Sequence, residues 1–199
     1  MRRAPAAVTA AAALLVVASA GQAADWRRTA TPNDRGRLRG WRDAWVAALT
    51  QARSTPDGAA AIARDRVLYD PDHALVDPVP PAGDYRCRTV KLGGGDALSF
   101  VPHEWFRCRV GQGKDPASFA KTTGSQRPVG TLYPDTDARA VFLGTLALGD
   151  ETRAMPYGRD RSRDMAGIVE RIGERRWRMV LPYPAFESTL DVIELVPAE

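Results

Sequence analysis

The residues after position 84 alternate between polar and apolar in short runs that turn residues separate, which is typical of β-strands. This pattern predicts strands at 85–92, 97–101, 105–110, 118–122, 130–133, 139–148, 167–172 and 175–181, and a last one in TLDVIELV near the C-terminus. Gly173 and Glu174 form the turn of one predicted hairpin. Eight or nine strands with short connections and no helical pattern between them predict an antiparallel β-barrel or sandwich.

Upstream of the strands, the apolar residues recur at helical spacing instead. One stripe along an amphipathic helix is formed by Leu38, Trp41, Trp45, Ala48, Leu49 and Ala52. Asn33 or Asp34 is the predicted cap, and the turn sequence STPDG ends the helix. We expect the two tryptophans to dock on the β domain. A second helix is predicted through PDGAAAIARDRVLY, with Pro56 in its first turn.

The N-terminus has the features of a secretory signal peptide. Arg2 and Arg3 precede an apolar run over residues 6–18, and small residues follow up to Ala23. A membrane anchor is the alternative, but this run is shorter than the ~20 apolar residues of a spanning helix. We therefore predict a signal peptide at 1–23, a helical segment at 24–69, a connector rich in proline and aspartate at 70–84, and a β domain at 85–197. The mature protein is expected to be periplasmic or secreted.

Charge gives little indication of a polyanionic partner. The full chain carries a formal net charge of +4, and without Arg2 and Arg3 it has 26 basic residues facing 24 acidic ones. Such a balance argues against a nucleic-acid binder. Nearly all the basic residues are arginines, because lysine occurs only at positions 91, 114 and 121.

Two cysteines, Cys87 and Cys108, are the only ones in the chain. An even cysteine count in an exported protein indicates a disulfide, with two free thiols as the alternative. Their separation excludes a redox C-x-x-C motif. His73 and His103 are the only histidines, so no set of histidines has metal-ligand spacing, and we predict no metal site.

Arginines flank both cysteines. In a strand, Tyr85, Cys87 and Thr89 share one face, and Arg86 and Arg88 lie on the other. The same alternation places Arg107 and Arg109 opposite Cys108. If the cysteines point into the core, the four arginines form one outer patch. That patch is either a solvated sheet face or a surface for an anion or a partner, which guanidinium groups suit.

The segment KTTGSQRPVG, residues 121–130, concentrates polar groups between two predicted strands. It is either an ordinary turn or the lining of a binding site, because loops often carry function. Its candidate binding residues are Thr122, Thr123, Ser125, Gln126 and Arg127. A second polar segment, YGRDRSRDMAG at 157–167, has the same two interpretations.

Motifs for known chemistry are missing from the sequence. It contains no G-x-S-x-G, no phosphate loop and no H-E-x-x-H, and LGGGD at 92–96 is typical of a hairpin turn. His103 adjoins Glu104, but neighbours in a strand point to opposite faces. We therefore predict no catalytic residue and no cofactor, and keep a hydrolase that uses His103 as an alternative.

Several longer segments resemble a known family, among them YRCRTVKLG, WFRCRV, KTTGSQRPVGTLYPD, RDMAGIVERIGERRWRMVLPYP and LDVIELVP. They are similar to the bacterial exported proteins grouped as domain of unknown function 4893. The resemblance covers roughly residues 25–197. It implies an exported protein with a signal peptide and a cysteine pair, and it implies no activity.

GDYRCR before the strands and RRWRMVLP near their end also resemble the entry and closing segments of small lipocalin-like barrels. Lipocalins proper have a tryptophan at the entry and a helix after the barrel, whereas this chain has Tyr85 and helices before it. The resemblance implies a barrel that holds one small ligand or inhibits a protease. We expect a non-catalytic module that binds a small ligand or an envelope partner, with a protease-inhibitor-like protein as an alternative.

Overall fold

The structure is a computed structural model that describes residues 25–94, 99–111 and 116–199. The predicted signal peptide, most of the LGGGD turn and the start of the strand predicted at 97–101 lie outside the described residues. In the three described ranges, no helix is both long and apolar enough to cross a membrane.

Between residue 25 and the first strand, the structure has five helices: α1 Trp26–Thr29, α2 Pro32–Arg39, α3 Trp41–Arg53, α4 Pro56–Arg64 and α5 Arg66–Tyr69. The single helix predicted through Leu38 and Trp45 is therefore wrong in one respect, because Gly40 separates α2 from α3. The predicted caps are also wrong. Thr31 caps α2 by accepting a hydrogen bond from the Asp34 amide, and Pro32 occupies the first turn.

The second predicted helix forms with Pro56 in its first turn, as expected, and Thr55 as its cap. It is interrupted at Asp65, whose side chain accepts a hydrogen bond from the Leu68 amide and caps the short helix α5. A hydrogen bond from the backbone to an aspartate side chain replaces a hydrogen bond of the helix interior, which explains why the helix is interrupted at this residue.

Nine strands form one sheet: β1 Gly83–Leu92, β2 Phe100–Pro102, β3 Phe106–Gly111, β4 Ala117–Lys121, β5 Gln126–Thr136, β6 Arg139–Leu148, β7 Asp164–Gly173, β8 Arg176–Pro182 and β9 Leu190–Pro197. Each pairs antiparallel with its neighbour, and β9 pairs back to β1 along eight residues. Strand β2 pairs with the C-terminal half of β1 and β3 with its N-terminal half, so the two together occupy one strand position in the barrel. The sheet is thus a closed eight-stranded antiparallel barrel, which confirms the mainly β fold and excludes the sandwich.

The predicted and observed strand boundaries differ most at β5, because the sequence pattern predicts a strand only at 130–133. The strand runs through Pro128 and Pro134, and only residues 129–132 pair with β4. Both prolines stay in register with β6 but lie beyond the stretch paired with β4. A proline costs a ladder bond only where its missing N–H faces a partner strand, so a proline with no β4 residue beside it does not end β5. Gln126 and Arg127 consequently lie in a strand rather than in a loop.

One half of the barrel interior is filled by side chains. Phe142 points inward from β6 and packs edge-to-face on Phe119, with ring centroids 5.8 Å apart. Gly130 and Gly144 face each other across β5 and β6, and a Cβ on either would lie within 2.7 Å of the Phe142 ring. The two glycines therefore provide the space that this aromatic ring occupies.

The helices pack outside the barrel and cover β7, β8, β9 and the end of β1. As predicted, Trp45 docks there, and it lies over the guanidinium of Arg178 at 4.6 Å from its ring centroid. Arg178 and Glu170 are both fully buried and form an ion pair of 2.6 Å. Arg178 also donates to the carbonyls of Val67 and Leu68, so this pair joins the helices to the barrel.

Candidate functional site in the open half of the barrel

The other half of the barrel interior is hollow and opens at one end. A cavity of about 240 Å³ lies among the strands and the loops above them. Its apolar walls include Phe106, Leu146, Met165, Leu181 and Ile193. Polar and charged side chains line it near the rim. A concave, half-apolar space with a few polar groups is the usual form of a small-molecule site.

Two lysines, Lys91 and Lys121, point into this cavity. Lys91 is the last inward-facing residue of β1, two positions beyond Thr89. Its ammonium nitrogen lies 3.2 Å from Glu187 Oε2 and 3.6 Å from Asp191 Oδ2. Asp191 faces Lys91 directly across β1 and β9, and burial raises the pKa of its carboxyl. Lys91 is thus neutralised within the wall.

Lys121, the last residue of β4, is in a different situation. Its side chain is 8% exposed, and its ammonium lies 3.8 Å from the ring centroid of Phe106. Within the described part of the chain, no carboxylate pairs with it and no hydrogen bond reaches its nitrogen. Burial, and secondly the charge of Lys91, lower its pKa to about 8.

The arginines at the cavity wall are engaged by acidic groups. Arg163 Nη1 lies 2.5 Å from Glu151 Oε1, and Arg37 Nε lies 3.1 Å from Asp34 Oδ1. Among the described cations that line the cavity, Lys121 is therefore the buried one that lacks an anionic partner.

His103 also lines the cavity, and its charge acts to lower the pKa of Asp191. It does not form a dyad in the described residues, because no hydrogen bond joins its ring to that carboxylate. Nor do the described residues contain a group of three or more potential metal ligands. The described side chains around the cavity offer charge and shape complementarity to a ligand.

The five candidate residues of segment 121–130 have separate positions. Ser125 and Gln126 line the cavity. Thr122 and Thr123 instead hold the turn against β3 through hydrogen bonds to the backbone of Arg107. Arg127 donates to the carbonyls of Gly124, Gly149 and Glu151, so its guanidinium links the two loops to which these residues belong.

The four candidate arginines lie outside the barrel on β1 and β3. Arg86 and Arg107 face each other in register, and Arg86 and Arg88 each lie 4.9 Å from the ring centroid of Trp105. Arg88 is paired with Glu194 at 2.6 Å. Arg109 lies 3.8 Å from Asp84, where both side chains are exposed. The barrel wall separates this outer patch from the cavity.

The disulfide between Cys87 and Cys108 is present, with a Cα–Cα distance of 5.9 Å. Both cysteines are buried in the barrel interior, as predicted. Cys108 faces Lys121 across β3 and β4. The cross-link therefore joins β1, which carries Lys91, to β3, the strand that pairs with the one carrying Lys121.

Sequence reasoning missed Lys91, Lys121 and Asp191. One signal was available, because lysine is rare in this arginine-rich chain and Lys91 alternates in phase with Cys87. The alternation of β4 also places Lys121 on the same face as Phe119. Neither pattern shows that two lysines from strands distant in sequence meet in one cavity.

These features define the class of the molecule: a closed eight-stranded antiparallel barrel, helices packed on its outside, and an open, charged pocket in its interior. The family model for the domain of unknown function DUF4893 matches residues 26–195, and the chain belongs to that family. Comparisons with curated proteins and with solved structures gave no match.

Proposed function

We propose that this protein is an exported, non-catalytic binding module that holds a small molecule in the open half of its barrel. The single observation that carries the proposal is the contrast between the filled half of the interior and the cavity beside it. Interiors of barrels this size are ordinarily filled by side chains or occupied by one small ligand.

Export is supported by the N-terminal sequence and by the buried disulfide. Expression of the full chain in a bacterium with a secretory pathway should deliver a periplasmic protein that lacks residues 1–23. Mass spectrometry of the purified protein tests this. A full-length chain that stays with the cytoplasmic fraction would contradict it.

Ligand binding is tested by blocking the cavity. Leu146 lines it and is 6% exposed, so Leu146→Trp should fill the space that a ligand needs. Val46→Trp adds the same ring on the exposed face of α3, where Val46 is 64% exposed, and serves as the control. We expect the wild type and Val46→Trp to bind 1-octanol or octanoate in calorimetric titration, and Leu146→Trp to bind neither. Equal binding by all three proteins would contradict the proposal.

A second candidate function is docking of an acidic partner on the outer arginine patch. Its supporting observation is Trp105, which is 37% exposed and stacked by Arg86 and Arg88. A labelled decaglutamate peptide tests it by fluorescence anisotropy. Loss of binding in Arg86→Ala with Arg107→Ala, but not in Leu146→Trp, would favour this surface over the cavity.

A further inference from the structure

We propose that the ligand is an amphipathic anion whose carboxylate or phosphate pairs with Lys121 and whose apolar part lies along the walls below. This inference rests on the proposed binding function and adds the chemical class of the ligand. It depends on a buried amine that reaches the cavity without a partner, and on the chemistry of the surfaces next to it.

The charge of Lys121 is the first argument. Its side chain is more than nine-tenths buried, and burying a cation is costly unless an anion accompanies it. Lys91 lines the same cavity and has the carboxylates of Glu187 and Asp191 beside it. Lys91 thus has carboxylate partners within the protein, whereas the ammonium of Lys121 lies over the aromatic face of Phe106 and has no ion-pair partner among the described residues. A ligand anion would complete the second pair.

The second argument is the set of hydrogen-bond donors and apolar groups around the amine. Ser125 and Gln126 line the cavity from the turn and strand that follow β4. Both carry donors that suit a second anion oxygen. Deeper in the barrel, Leu146, Met165 and Ile193 present apolar surface. This arrangement fits an anionic head at the rim and an apolar tail toward the filled half.

The proposal predicts a coupling between binding and protonation. The charged and titratable groups that act on Lys121 are Lys91, Arg127, Asp191 and Glu104, and His103 faces the same cavity. With a pKa of about 8 in the free protein, the amine is only half charged at pH 8. A bound anion favours the charged form, so binding at this pH should take up about half a proton. Affinity should be constant well below pH 8 and fall by up to tenfold per pH unit above it.

Octanoate and 1-octanol test this pairing because they differ in charge but share an apolar tail, and acetate supplies the headgroup alone. Calorimetry at pH 7 should show octanoate binding the wild type at least tenfold more tightly than 1-octanol, with acetate much weaker than octanoate. Lys121→Met should lose tenfold or more in octanoate affinity and keep its affinity for 1-octanol. The retained affinity of Lys121→Met for 1-octanol excludes a folding defect as the cause, and Lys121→Arg, which keeps the charge, should retain most of the octanoate affinity. Arg175→Met removes one exposed positive charge at the β7–β8 hairpin and should change neither affinity.

Proton uptake provides a readout that a purely structural lysine would not give. At pH 8, the octanoate binding heat should vary with the ionisation enthalpy of the buffer in the wild type and not in Lys121→Met. If 1-octanol binds as tightly as octanoate, and Lys121→Met changes neither, the cavity binds ligands but the anion proposal is overturned. If neither compound binds the wild type, the proposed function is overturned together with it.

Discussion

The two halves of the barrel are built from the same strands but differ in how their interiors are filled. In the filled half, Phe142, Phe119, Tyr85 and Trp177 form two edge-to-face pairs, and glycines make room for the Phe142 ring. In the open half, polar and charged side chains surround a cavity, namely those of Lys91, Lys121, Ser125, Gln126 and Asp191. Under the proposed function, stability and binding are assigned to different ends of one sheet. The filled half supplies the core, so the open half is free to carry charges that weaken folding.

The largest expected effect on stability comes from removing a large side chain from the filled half. Phe142→Ala removes a fully buried ring and should lower the free energy of unfolding by about 3–5 kcal/mol. Leu146→Ala is the matched change at the cavity wall, where the side chain already borders empty space. It should cost less than half as much. Urea denaturation of the two variants checks the comparison, and equal losses would contradict the contrast between the halves.

Reduction of the disulfide should have the next largest effect. Cys87 and Cys108 close a loop with a sequence separation of 21, and its constraint on the unfolded chain is worth about 3 kcal/mol. Because these are the only cysteines, a reductant acts on no other bond. Denaturation with and without reductant measures the loss. An unchanged midpoint would mean that the bond contributes nothing to stability.

Much of the fold could be predicted because strand alternation and the helical stripe are local properties. The alternation of β1 and β3 placed both cysteines inside and the arginines outside, as the structure has them. Helix interruptions at Gly40 and Asp65 were missed, because apolar spacing continues across a break. Closure into a barrel depends on β9 pairing with β1, which local patterns do not encode.

The candidate site could be predicted only in small part. Ser125 and Gln126 were identified because they lie in a conspicuously polar segment, and both line the cavity. Lys121 begins that same segment but was not singled out. Its importance comes from burial beside Phe106 and from the absence of an ion-pair partner among the described residues, which are tertiary properties.

A smaller effect, and one of opposite sign, is expected at Lys121. Lys121→Met removes a buried charge and should stabilise the ligand-free protein by about 1–2 kcal/mol near pH 7. The pKa of Lys121 is about 8 in the folded protein and higher in the unfolded chain, so the unfolded state holds more protons above pH 8. The penalty is therefore complete below pH 8 and is relieved as the pH rises toward the unfolded value. Denaturation of both proteins from pH 7 to pH 10 should show their difference shrinking, and a constant difference would contradict this assignment.

The smallest effect is expected on the outer face. Arg107→Met removes an exposed positive charge directly opposite Arg86 and should change the free energy of unfolding by less than about 0.5 kcal/mol at any pH in that range. Replacing a basic residue by methionine is thus expected to change stability inside the barrel, at Lys121, but not outside it, at Arg107. A stabilisation as large as that of Lys121→Met would show that net charge, rather than burial, is the cause.

The contrast between the two halves can be measured most directly with methionine methyl groups. Met165 lines the cavity, Met179 is buried in the core behind the cavity wall, and Met155 lies on an exposed loop. In protein labelled with ¹³C at the methionine methyls, titration with octanoate should shift the Met165 signal and leave those of Met179 and Met155 in place. If the Met165 signal stays fixed while octanoate binds, or if Met179 shifts as much, the ligand does not lie in the open half of the barrel and the central claim is wrong.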